Sequence, residues 1–170
     1  MSVLPIVYIP DPVLRRKAKK ITEFDRDLQT LFDNMVETMR EAPGVGLAAP
    51  QVGESIRLLV VEYEENDEVE DSPKKLYVLI NPELTPLGEE LVTGVEGCLS
   101  VPDLVGEVER YEAVQIKALN RRGQPVKIKA KGWLARIFQH EYDHLDGVIY
   151  TDRATRVWKP REDEELEIAD

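Results

Sequence analysis

Residues 139 to 147 read Q-H-E-Y-D-H-L-D-G and hold the only two histidines of the 170-residue chain, His140 and His144, with Glu141 between them. On a helix, residues four apart project from one face, so both imidazoles can direct a ring nitrogen at one ion. Glu141 is swung about 100° further around the axis, where it can approach a water on that ion without being a ligand. In such an H-E-x-x-H arrangement the ion lowers the water's pKa toward roughly 7, and the glutamate moves the protons. The bland alternative is an exposed polar helix whose histidines are incidental, since five-residue patterns arise by chance.

Two histidines and a water leave one protein ligand to find. There is no third histidine, and Tyr150 stands where a longer H-E-x-x-H-x-x-G-x-x-H pattern would place one. Glu162, Glu164 and Glu165 follow Pro160 in an acidic segment that would hold an ion poorly. The remaining strong donor is Cys98, the sole cysteine, in E-G-C-L-S at 96–100. Its thiolate suits zinc or ferrous iron, and Gly97 lets the backbone come close.

A third stretch, G-V-G-L-A-A-P-Q at 44–51, follows an amphipathic run. On its own it reads as a glycine-rich helix exit leading to a strand. Functionally, its small residues would let a substrate backbone lie close, with Gln51 offering an amide donor. It lacks the Lys-Ser/Thr ending of a phosphate-binding loop.

Together the three stretches resemble the peptide deformylase family, whose motifs are G-x-G-L-A-A-x-Q, E-G-C-L-S and Q-H-E-x-D-H-L-x-G; all three occur here in order. The resemblance covers the chain from about Pro5 to Asp152. It implies Cys98, His140 and His144 as metal ligands, Glu141 as general acid/base, and Gln51 with the Leu99 backbone N–H as oxyanion donors. It also implies that Gly44, Val45, Gly46 and Leu99 receive the substrate, with Val45 and Leu99 beside the methionine side chain. The implied ion is Fe2+, with Zn2+, Ni2+ or Co2+ as substitutes, and the implied reaction removes the formyl group from N-formylmethionyl peptides as formate. Asp143 and Arg110 stand where the family pairs an acid and a base behind the ligands. Many bacterial members continue into a basic helix that docks on the ribosome; here REDEELEIAD stands instead, so any ribosome contact lacks that helix.

The elements that must position these residues follow from periodicity. Apolar residues at Leu28, Leu31, Phe32, Met35, Val36 and Met39 predict a long N-terminal helix over 25–41, ended by Pro43-Gly44. Asp11-Pro12 starts a short helix. Residues 56–63, 76–82, 113–119 and 125–130 read as strands, the last two joined in a hairpin at Asn120-Arg121-Arg122-Gly123. A C-terminal helix from Gly132 carries the histidines and closes at Gly147. The expected fold class is α+β, with antiparallel β-sheets packed around that H-E-x-x-H helix.

Length suits one domain, residues 1–160, followed by an acidic segment at 161–170. The formal charge of −11 is concentrated: residues 62–72 and 161–170 hold seven and six acids, and without them 20 acids face 21 bases. Both runs read as solvated. Direct nucleic-acid binding is disfavoured by phosphate repulsion, no apolar run is long enough for a membrane helix, and the chain reads as cytoplasmic. The competing enzyme class is an H-E-x-x-H zinc peptidase of different specificity, which would not need Cys98. A closed structural metal site would not need Glu141.

Overall fold

The computed structural model describes residues 2–64, 69–161 and 168–169. Asp11 caps a single 3-10 turn at Pro12–Arg15, its side chain accepting the Val13 N–H at 3.0 Å. The long helix α1 runs Arg26–Glu41, capped by Asp25, whose carboxylate accepts the Leu28 N–H at 2.9 Å. It buries Leu28, Phe32, Met35, Val36 and Met39, the stripe its spacing predicts, and stops before Pro43, which has no N–H to continue it.

Strands β1 (Gly46–Ala48), β2 (Leu58–Glu64), β3 (Lys74–Pro86), β6 (Ala113–Leu119) and β7 (Pro125–Lys131) form a five-stranded antiparallel sheet in the order β1-β2-β3-β6-β7. Alternation along β2 explains how two helices share this sheet. Leu58 and Val60 face α1 with Phe32 and Met35, while Leu59 and Val61 face helix α2 (Gly132–Leu145) with Leu134, Ile137 and Phe138. Tyr77 of β3 meets Phe138 edge to face, 5.2 Å between ring centres. α2 is thus covered on nearly every side, which is why its polar residues Arg136, Gln139, His140, Glu141, Asp143 and His144 are all buried.

The sheets expected around the helix include a second one whose strands were not read from the sequence. β4 (Leu91–Cys98) and β5 (Val101–Tyr111) form an antiparallel hairpin, flanked by β8 (Arg156–Trp158) and β9 (Ile168–Ala169) in the order β8-β5-β4-β9. β4 hides its strand character because its buried end is Glu96, Gly97 and Cys98, residues chosen for the site and poor in the β-branched signal. A short helix α3 (Tyr150–Arg153) follows α2.

The acidic runs are not wholly solvated. Glu62 to Glu64 complete β2, and Glu62 takes two hydrogen bonds from Arg40, at 3.0 and 2.6 Å; residues 65–68 lie outside the described residues. In the C-terminal segment, Ile168 and Ala169 pair in parallel with Val95 and Glu96 of β4. Glu162, Glu164 and Glu165 lie outside the described residues.

Candidate metal centre

α2 delivers His140 and His144 from one face, and the end of β4 delivers Cys98 beside them. The three ligand atoms lie within 4.8 Å of one another, and all three residues are buried. His144 Nε2 is 3.4 Å from Cys98 Sγ. His140 donates Nδ1–H to Glu96 Oε1 at 2.9 Å, which fixes the tautomer and leaves the Nε2 lone pair for an ion. That Nε2 is buried and makes no hydrogen bond to the described residues. A thiol and two imidazoles around such an atom fit a divalent ion of the zinc and ferrous class.

Electrostatics sort the two rings. Burial pushes His144 well below the ordinary imidazole range, helped by His140 and Arg110. Burial pushes His140 down too, but the neighbouring Cys98, the hydrogen bond with Glu96 and the charge of Glu141 outweigh it and hold the ring above that range. Tyr150 stacks on the His140 ring at 6.0 Å and is itself buried.

Behind the ligands lies a buried ion network that sequence reading only half found. The expected pair exists: Arg110 Nη1 donates to Asp143 Oδ2 at 2.6 Å. Its centre, however, is Glu96, fully buried, which accepts from Arg110 Nε and Nη2 at 2.9 and 2.8 Å, from Arg136 Nη1 at 2.7 Å and from His140. Burial raises the Glu96 carboxyl, but Arg110 and His140 overcome this and hold it far below the carboxylate range. Two signals could have found the pair: Glu96 opens the E-G-C-L-S motif, and Arg136 precedes His140 by one helical turn.

Glu141 is buried, with its side chain against Gly46 of β1. A Cβ added at Gly46 would lie 2.6 Å from Glu141 Oε2 and 2.9 Å from its Cγ. Gln51, in a 3-10 turn after β1, accepts the Ala48 N–H through Oε1 at 3.0 Å. This pins the amide so that Nε2 faces Cys98 Sγ at 3.5 Å and Ser100 Oγ at 3.2 Å. Leu99 sits in the turn between β4 and β5, half-buried, its Cδ1 3.1 Å from where a Cβ on Gly44 would stand. Val45 is partly buried against the core cluster that holds Leu59, Val61 and Phe138, and it binds β2 through its carbonyl, which accepts the Glu62 N–H at 2.9 Å. The structure therefore brings Cys98, His140, His144 and Gln51 together, with Glu141 against Gly46 and Leu99 against Gly44.

A sequence profile described as polypeptide deformylase matches residues 3–159. The chain belongs to the polypeptide deformylase family. Peptide deformylase from Symbiobacterium thermophilum is 52% identical over the whole of this chain and 77% of its own length. The crystal structure of peptide deformylase from Thermotoga maritima superimposes with a TM-score of 0.82 at 40% identity, covering 92% of this chain and all of that one. A class I type b peptide deformylase from Acinetobacter baumannii, with Met-Ala-Ser bound, reaches the same TM-score at 40% identity over 90% of this chain and 99% of that one. Peptide deformylase is a metalloenzyme, in keeping with the Cys98, His140, His144 cluster.

Proposed function

We propose that this chain is a metal-dependent hydrolase that removes the N-formyl group from the formylmethionine at the start of newly made polypeptides and releases formate. The observation that carries this reading is the convergence of Cys98 with His140 and His144, beside buried Glu141 and a pinned Gln51. A zinc peptidase of another H-E-x-x-H class gives Cys98 no place.

Cys98, His140 and His144 would hold the ion, which we assign as Fe2+ in the cell, with Zn2+, Ni2+ or Co2+ able to substitute. When bound, it supplies an acidified water and a Lewis acid for the formyl oxygen. Glu141 takes the proton of the attacking water and hands it to the departing amine. Gln51 Nε2–H and the Leu99 N–H donate to the oxygen as its negative charge grows, a contribution of about 3 kcal/mol per donor. Gly44, Val45, Gly46 and Leu99 receive the substrate. The backbone at Gly46 can approach because it has no Cβ, and Val45 and Leu99 give the methionine side chain an apolar wall.

We further assign residues 1–160 as one catalytic domain acting in the cytoplasm, with any ribosome contact made without a basic C-terminal helix. Formate release from formyl-Met-Ala-Ser, by protein purified without oxygen and assayed for metal, tests the function. Turnover with about one metal per chain, lost in Glu141→Ala, is the expected result. A fully metallated chain that leaves the formyl group intact would overturn it.

A further inference from the structure

β4 has two edges. One pairs with β5 along almost its whole length, while the other carries Ile168 and Ala169, which run parallel to it at Val95 and Glu96. These two positions lie immediately before Gly97 and Cys98, and the Glu96 side chain holds His140. β9 also lies against α2, the helix that carries both histidines. The backbone groups of β4 nearest the metal ligands are therefore taken by the chain's own C-terminal segment.

A formylated polypeptide held with its formyl carbon at Cys98, His140 and His144 must lead its following residues away from that point. Extended peptides gain affinity by adding to a sheet edge. Two strand edges stand beside the ligands: that of β1, at the end of its sheet, and the side of β4 away from β5, which β9 covers at Val95 and Glu96. Leu99 against Gly44 brings the end of β4 to the approach of β1. A peptide leaving Cys98 toward Val95 runs antiparallel to β4, whereas the tail runs parallel to it. Both polarities consume the same strand N–H and C=O groups. The tail thus presents no amino terminus to the site and cannot be turned over; it can only be displaced.

From this we infer that residues 168–169 act as an intramolecular competitor for the strand edge at Val95–Glu96, occupying it part of the time and giving way to an incoming polypeptide. The inference rests on the deformylase reading above. The tether gives the tail a high effective concentration at β4, but the pairing is short and Ile168 keeps 36% of its surface exposed, so its hold is weak.

The test compares the metal-loaded full chain with I168P/A169P, which removes both tail N–H groups, and with a chain ending at Arg161. With formyl-Met-Ala-Ser as substrate, both variants should lower KM by roughly threefold at unchanged kcat, as for an edge that the tail covers about two thirds of the time. The free peptide REDEELEIAD should restore the higher KM of the truncated chain as a competitive inhibitor. Amide exchange at whichever of Val95 and Glu96 points its N–H toward β9 should be slower in the full chain than in either variant, while the other, which faces β5, should be unchanged. Equal KM and equal exchange in all three would overturn the proposal, as would a fall in kcat with KM unmoved. If no form releases formate, the functional reading fails separately. Exchange at the amide that faces β9 then decides the tail: protection lost in the variants and regained with the peptide supports it, and equal exchange overturns it.

Discussion

Glu96 Oε1 lies 2.9 Å from His140 Nδ1, and the same carboxylate is the meeting point of Arg110 and Arg136. One buried acid therefore both orients a metal-binding imidazole and neutralises two buried guanidinium groups. Glu96→Gln leaves those cations without their counter-charge, a type of loss that costs about 3–5 kcal/mol. It should also weaken metal retention by roughly 10–100-fold. Thermal unfolding and competition with a chelator read the two effects independently; unchanged retention would deny Glu96 its orienting role.

Gln51→Ala should slow turnover by about a hundredfold. The buried Ala48 N–H left without its partner should cost about 1–3 kcal/mol of stability. Steady-state kinetics alongside a melting curve separate the two, and turnover equal to that of the unmodified chain would remove Gln51 from the oxyanion role.

Gly46→Ala places a methyl group 2.6 Å from Glu141 Oε2, closer than atoms can approach, so the carboxylate must move. Turnover should collapse while metal content stays at the level of the unmodified chain, because Glu141 is not a ligand. Loss of metal together with activity would contradict that division of labour.

Glu62 and Arg40 give a pH dependence whose sign can be worked out. The Arg40 hydrogen bonds hold the Glu62 carboxyl below its ordinary value, against burial, which raises it, and with help from the charges of Arg40 and Lys74. A folded value below the unfolded one means the stabilisation is complete above the ordinary carboxylate range and fades as pH falls through the folded value. Arg40 is half exposed, so the pair is worth at most about 1 kcal/mol. Arg40→Gln should therefore melt slightly earlier at neutral pH, and the gap should close in acid. A gap that widens in acid would contradict the assignment.

Much of this architecture was legible because its signals are local. The stripe from Leu28 to Met39 named α1, the Asn120–Gly123 turn named the β6–β7 hairpin, and the three motifs named Cys98, His140 and His144, which the fold brings together. The β4–β5 hairpin escaped because the inward residues of β4 near the site are acidic, small or sulfur-bearing, so burial and apolarity part company there. Glu96 and Arg136 escaped for a related reason. Charged residues read as surface until something buried balances them, and their partners come from β5 and α2, far apart in the chain. Pairing of Ile168 with Val95 is likewise a contact at long sequence separation, invisible to periodicity.

The two sheets share no backbone ladder among the described residues. Cys98 closes a strand of one, while both histidines ride on the helix packed against the other. An ion held by all three would consequently be a rivet between layers as well as a reagent. Oxidation of the single thiol would draw that rivet and leave the layers joined through the bonds of Arg136 and Gln139 to the second sheet.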